Sequence, residues 1–361
     1  MIEEDSMNTD IIKQIGKDLN IKERQVEVVL NLLKEGNTVP FIARYRKEAT
    51  GSLDEEVIRS INEVYEYQVN LLKRKEDVIR LIDEKGMLTD ELKEEILKCQ
   101  KLVEVEDLYR PFKEKKKTKA TEAIKNGLEP LANMIMEFKN RDIKKEAKSF
   151  LNDKVTSIEE AIEGAKYIIA EAISDNAEYR KYIRENIVKF GIITSKVKKK
   201  AQELDQAKTY EMYYDYSENV NKIPSHRILA INRGEKEEFL KVKIEKEEDK
   251  ILEKIEKDII KGENQFTQYL KDTIQDSFKR LIEPSVDREI RSDLTEKAEE
   301  QAIKVFGKNA KQLLLGAPIK GITVMGFDPA YRTGCKIAII DETGKVLDIT
   351  TVYPTEPQND I

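Results

Sequence analysis

Apolar residues recur at helical spacing through most of the chain. Val26, Val29, Leu30 and Leu33 share one face of a helix predicted over 22–34, with Gly36 just past its end. Val57, Ile61, Val64, Leu71, Val78 and Ile82 follow a four-three spacing in a longer helix, interrupted by Gln68 and Lys75, and Ser52 with Glu55 has capping-box spacing ahead of it. Lys85 and Gly86 end that run. Thr89 then opens a helix with Leu92, Ile96 and Leu97 facing inward, which predicts an antiparallel helical hairpin. Ser157 with Glu160, and Asp175 with Glu178, repeat the capping spacing and frame two further helices.

Beyond Gly191 the period changes to two. The segments IITSKVK and FLKVKIE alternate as strands do, and between them Pro224 and Ser225 open a short helix closed by Gly234. Helices are predicted again over 266–282 and 284–306, the second with proline in its first turn. After LLLGAPIKG come strand-like segments at 322–327, 336–340 and 346–352, the last two joined by DETG, a tight-turn sequence suited to a hairpin. No fixed period of about 20–50 residues repeats, so the pattern describes a helical bundle with extensions rather than a solenoid.

Composition narrows the function classes. The chain has 361 residues, 37% charged and 39% hydrophobic, long enough for two or three cores. Its 64 Lys and Arg nearly balance 70 Asp and Glu, and the net charge of −6 excludes a uniformly basic nucleic-acid coat, so any polyanion site is local. The acidic N-terminus gives no expectation of a signal peptide, and no apolar run approaches the about 18 residues of a membrane span. Cys99 and Cys335 read as free thiols of a reducing compartment, and the expected location is the cytoplasm.

Candidate chemistry concentrates at a few places. In TVPFIARYRKEATG, Arg44, Arg46 and Lys47 flank Tyr45, the combination that phosphate contact and base stacking require; a solvated basic face is the alternative. In LYRPFKEKKKTKATEA, Lys113, Lys115, Lys116, Lys117 and Lys119 form the densest basic run, either a partnerless loop or an electrostatic contact. Lys196, Lys198, Lys199 and Lys200 make a second run with the same two readings. His226, the sole histidine, stands at the start of PSHRILAINRG beside Arg227 and Arg233 and reads as structural, since no serine or cysteine relay lies near it in sequence. Asp328 ends an apolar segment in GFDPAYRTG, where a carboxylate can hold Mg²⁺ or simply form a strand-end turn; only Asp341 is nearby, whereas two-metal chemistry needs several acids. No Walker loop, GxGxxG, HExxH or paired CxxC occurs, so the sequence calls for no cofactor.

Four ordered stretches, TVPFIARYRKEATGSLDE, DLYRPFKEKKKTKATEAIKNGLEPLA, PSHRILAINRGEKE and VMGFDPAYRTGCKIAIIDETGKVLDITTVYP, together resemble the Tex family of bacterial transcription accessory proteins over nearly the whole chain. The resemblance implies a mainly α fold: an elongated multi-helical N-terminal region with a small α/β insertion, then the first three strands of an incomplete RNase H-like domain of the YqgF type. The corresponding divisions are 1–190, 191–320 and 321–361. It places Asp328 on the first strand of that domain, where nucleic-acid-cutting relatives of the fold keep one metal ligand, the remaining acids belonging to later strands. Ala330 stands where relatives often have glycine, which makes an anion-binding turn less comfortable, while Arg332 and Gly334 remain.

The resemblance favours a non-enzymatic factor that binds RNA or DNA, single strands above all, through Arg44, Arg46, Lys47, Lys113, Lys115, Lys116, Lys117, Lys119, Arg227, Arg233 and Arg332. RNA polymerase or ribosome-associated proteins are the expected protein partners. Two alternatives stay open at this point: a fragment of a metal-dependent RNase H-like nuclease or resolvase with Asp328 as ligand, and a scaffold that binds proteins only.

Overall fold

The computed structural model describes residues 2–139, 142–202, 208–317, 321–330, 333–354 and 356. Helices come first in the order α1 (Ile2–Asp18), α2 (Glu23–Lys34), α3 (Val39–Tyr45), α4 (Lys47–Thr50), α5 (Glu55–Asp83), α6 (Asp90–Lys98), α7 (Leu102–Tyr109), α8 (Lys119–Lys125), α9 (Glu129–Met136), α10 (Ile143–Lys148), α11 (Ile158–Asp175) and α12 (Ala177–Phe190). A sheet of β1 (Ile192–Val197), β2 (Asp215–Asn219) and β3 (Leu240–Glu245) follows, with α13 (Lys199–Gln202) and α14 (Ser225–Lys236) in its connections. Then come α15 (Glu248–Ile259), α16 (Thr267–Asp276), a π-helical segment (Ser277–Ile282), α17 (Glu283–Leu314), β4 (Val324–Asp328), β5 (Cys335–Ile340) and β6 (Val346–Val352). The chain is mainly α. It divides into two compact units, Met1–Ile223 with Ala230–Asp293, and Pro224–Leu229 with Leu294–Ile361.

In the first unit α5 serves two cores. Its Ile58 and Ile61 join Ile15, Val26, Val29, Leu30 and Ile42, while Leu71, Val78 and Ile82 join Ile96, Val105 and Tyr109. Its 29 residues span about 43 Å, enough for both. The cap of this helix lies two residues beyond the expected Ser52: Gly51 leaves α4 at φ 68 and Ser52 keeps a left-handed φ of 62, so Asp54 takes the extended capping position and accepts from Val57 N at 2.9 Å. Likewise Asp175 is the buried last residue of α11, and Asn176 caps α12 by accepting from Tyr179 N at 3.0 Å. The α5–α6 hairpin forms with Ile96 inside, but Leu97 is turned to solvent. Its carbonyl accepts from Lys75 Nζ at 2.7 Å, so the lysine that interrupts the α5 seam reaches the end of α6; burial lowers its pKa.

Helix α11 packs against α8, α9, α10 and α16 through Ala161, Ala165, Ile169, Ala170 and Ile173. The break expected between 282 and 284 is absent. Pro284 lies inside a run that continues from α16 through the π segment into α17, and the widened turn just before it removes the clash that a proline ring makes with the preceding turn. Phe278 and Ile282 in that segment are fully buried, and Ser277 Oγ donates to Ala170 O at 2.6 Å.

The predicted strands β1 and β3 pair antiparallel with Ser195 opposite Val242 and Thr194 opposite Lys243. A third strand, β2, lies on the other side of β1. Its sequence DYSEN has no apolar alternation to announce it. Helix α14 runs through Gly234 instead of stopping there, because this glycine is where the helix meets β3: a Cβ would lie 2.6 Å from Leu240 Cδ1. In the second unit β4, β5 and β6 form an antiparallel meander, and Asp341 shapes its hairpin turn by accepting from Thr343 Oγ1 at 2.6 Å, Thr343 N at 2.8 Å and Lys345 N at 3.0 Å. Those bonds, the Thr343 hydroxyl foremost, hold its carboxyl below the usual range.

Candidate nucleic-acid interface

The first basic cluster sits on a braced corner. Thr38 caps α3 and Pro40 lies in its first turn, Ile42 inserts into the N-terminal core, and the next residues turn at once into α4. Thr50 is fully buried and its carbonyl accepts from Gln25 Nε2 at 2.8 Å, which fixes the corner from beneath. Arg44, Tyr45, Arg46 and Lys47 are all exposed on it, Tyr45 by 67%. The Tyr45 ring packs against Phe41 at 5.1 Å between centroids and a tilt of 45°, and Arg46 lies 5.5 Å from the Phe41 ring. Among the described residues no acid pairs with Arg44, Arg46 or Lys47. An aromatic edge between uncompensated cations on a fixed backbone is competent for backbone contact and base stacking.

The lysine run is only half available. Lys113 pairs with Glu106 at 2.9 Å, in a group where Arg74 also binds Glu106 at 2.6 Å and both cations lie over the Tyr109 ring. Burial alone would raise the Glu106 carboxyl; the hydrogen bonds from Arg74 and Lys113 outweigh it and hold the pKa down. Lys115 is drawn inward to Asp175 and to Glu171, the latter at 3.3 Å, and Arg110 reaches Asp175 at 3.1 Å. Lys119 donates to Tyr167 Oη at 3.2 Å. Lys116 and Lys117 are exposed and without a described partner. A cleft of 510 Å³ opens beside this loop, lined by Lys113, Lys115, Thr121, Ile124, Glu171 and Asp175 among others. Of its cations, Lys115 is matched by the lining acids Glu171 and Asp175, and Lys113 by Glu106 beyond the lining.

The other predicted residues are dispersed. Arg233 is exposed and pairs with Glu237 at 2.9 Å, Arg227 is half-buried and engaged, and His226 is exposed. Asp328 is exposed at the end of β4, opposite Lys336, and among the described residues no three His, Cys, Asp or Glu gather to hold a metal ion. Arg332 and the Lys200 side chain lie outside the described residues.

A buried ionic node matches none of the residues predicted from sequence. Asp107 on α7 is 5% exposed and accepts from Arg180 Nε at 2.7 Å and from Arg184 Nη2 at 2.6 Å, both on α12; Arg184 also pairs with Glu289 of α17. Sequence separations of 73 and 77 hide the pairing. The readable sign is that Arg180 and Arg184 share the helical stripe of the buried Ile183 and Ile187.

Three family models match in succession: "Tex-like protein N-terminal domain" over residues 9–83, "Tex central region-like" over 139–306 and "Tex protein YqgF-like domain" over 322–361. The chain belongs to the Tex family. It is 53% identical over 351 residues to the Bacillus subtilis (strain 168) protein YdcI, covering 96% of this chain and 49% of that one. It is 34% identical over 356 residues to the Neisseria gonorrhoeae "Transcriptional accessory protein Tex", with coverage of 97% and 47%. To the human "S1 RNA-binding domain-containing protein 1" it is 32% identical over 372 residues, 97% of this chain and 36% of that protein. The chain thus spans about half the length, or less, of the curated Tex relatives it matches. The strands β4 to β6 fall within the YqgF-like match, and the basic corner falls within the N-terminal one. Among the described residues no helix is long and apolar enough to cross a membrane.

Proposed function

We propose that this Tex-family chain is a non-catalytic helical scaffold of a transcription accessory factor, holding single-stranded nucleic acid by its phosphates with little sequence preference. The observation that carries the reading is the corner at 44–47, where Arg44, Arg46 and Lys47 surround an exposed Tyr45 without an acidic partner among the described residues. Cations that contact phosphate fix position and carry no base information, while an exposed ring stacks on any base. RNA is the favoured strand, in keeping with the S1 RNA-binding name of the human relative. RNA polymerase or ribosome-associated proteins are the partners this reading assigns to the longer family members. Asp328 acts in it as a strand-end residue, and no metal-dependent step is assigned to it.

The lysine loop supplies an internal test. Lys116→Glu with Lys117→Glu is expected to weaken binding of a fluorescein-labelled RNA strand several-fold in an anisotropy titration, because both side chains are exposed and have no partner among the described residues. Lys115→Gln, which removes a cation already neutralised by Asp175 and Glu171, is expected to change the affinity by less than twofold. The opposite ranking would turn against the reading.

A further inference from the structure

The small sheet carries a basic face. In an antiparallel pair, residues directly opposite share a face, and residues two apart along a strand share it as well. In β3 the residues Leu240, Val242 and Ile244 are buried, so Lys241 and Lys243 stand on the outer face. The register places Lys196 of β1 opposite Lys241, and Thr194 opposite Lys243. Lys198 follows on from β1, its N–H bonded to Phe239 O at 2.9 Å, so it extends the same row past the end of the strand. All four lysines are exposed and none has a described partner. The remaining outer-face positions are Ile192, Ser217 and three near the borders: Asp215 opposite Lys196 on β2, Asn219, and Glu245 at the far end of β3.

Lysine on an edge strand is a common guard against strand addition, and this accounts for Lys241 and Lys243. It does not account for Lys196, which stands on the central strand with Lys241 directly across from it on one side and Asp215 on the other. Like charges in that position destabilise a sheet. The chain as a whole carries a net charge of −6, so a face on which four lysines outnumber the two acids, Asp215 and Glu245, runs against the general composition.

We infer that this face, Lys196, Lys198, Lys241 and Lys243, is a docking surface for the phosphate backbone of single-stranded RNA. Lysines two apart on a strand stand about 6.7 Å from each other and those across the pair about 5 Å, a spacing that lets successive phosphates of one strand meet successive ammonium groups. The patch is two strands wide, a width that follows one phosphodiester backbone. The inference rests on the nucleic-acid reading above and names a surface which that reading does not require.

The test uses the whole chain and a labelled 20-nucleotide RNA, with Lys196→Gln, Lys241→Gln and Lys243→Gln combined. The expected result is an affinity at least tenfold lower at low salt and a shallower dependence of log affinity on log salt, by about two, as three phosphate contacts at about 0.7 each are lost. An unchanged thermal midpoint excludes unfolding; Lys196→Arg, Lys241→Arg and Lys243→Arg together keep the charge and should restore binding if the variant above is less stable. Wild-type binding that survives the glutamine substitutions overturns the sheet assignment and leaves the general reading intact. No wild-type binding at all removes both. Equal competition by duplex DNA or by polyglutamate against the RNA overturns the single-strand assignment.

Discussion

Replacing Asp107 with alanine is expected to destabilise the first unit by about 3–5 kcal/mol, because it leaves buried guanidinium groups without their counter-ion. Arg180 is 2% exposed, and Asp107 takes its Nε proton. Its Nη2 donates to Ser285 Oγ at 3.1 Å, and its Nη1 has no described partner. The other oxygen of Asp107 accepts from Arg184 at 2.6 Å. Without this carboxylate, Glu289 is the one acid among the described residues that pairs with the two arginines, 3.8 Å from Arg180 Nη2. Asp107→Asn keeps the shape and loses the charge, and an intermediate loss is expected. Glu106→Ala, one residue earlier, removes a partly exposed acid and should cost about 1 kcal/mol or less. Urea unfolding followed by circular dichroism ranks the three. A loss below 1 kcal/mol for Asp107→Ala would contradict the role given to the node.

The second large effect is on binding. Arg44→Glu, Arg46→Glu and Lys47→Glu together are expected to lower affinity for single-stranded RNA by about tenfold or more and to flatten the salt dependence by about two. Folding should be nearly unaffected, because the frame of the corner is made by other residues: Ile42 in the core, and Thr50 bonded to Gln25. Tyr45→Ala separates the two parts of the contact. It removes the stacking surface at constant charge, so affinity should fall by about 1 kcal/mol or more with the salt slope unchanged. Anisotropy titrations at several salt concentrations read both quantities. An Arg44, Arg46, Lys47 reversal that binds RNA as tightly as the parent would remove the corner from the account.

Much of the fold was legible because it depends on local periodicity. The face Val26, Val29 and Leu30 is buried as its spacing implies, and Thr89 and Ser157 cap the helices they precede. The misses have a common cause in tertiary or neighbouring constraint. Ser52 could not cap α5 because the turn after Gly51 holds it left-handed, and Gly234 does not end a helix because it is needed for close approach to Leu240. Strand β2 follows from pairing with β1 and not from its own alternation.

The site was legible as residue types and not as availability. Lys113, Lys115, Lys116, Lys117 and Lys119 look equivalent in sequence, yet Lys115 is held by acids 56 and 60 positions away on α11 while Lys116 and Lys117 have no partner among the described residues. Such neutralisation depends on which helix end the loop is laid against, which composition cannot express. The same holds for Lys241 and Lys243, whose shared face with Lys196 exists only through the strand register.

This helical Tex-family chain is expected to have a phosphate-contacting surface of its own. The direct measurement is the affinity of the unmodified 361-residue chain for a labelled single-stranded RNA, compared with duplex DNA, over a salt series from about 50 to 200 mM, where electrostatic binding changes most. The account predicts RNA binding that weakens steeply and linearly on logarithmic axes. An affinity that is absent at the lowest salt, or that does not change across the series, would contradict it.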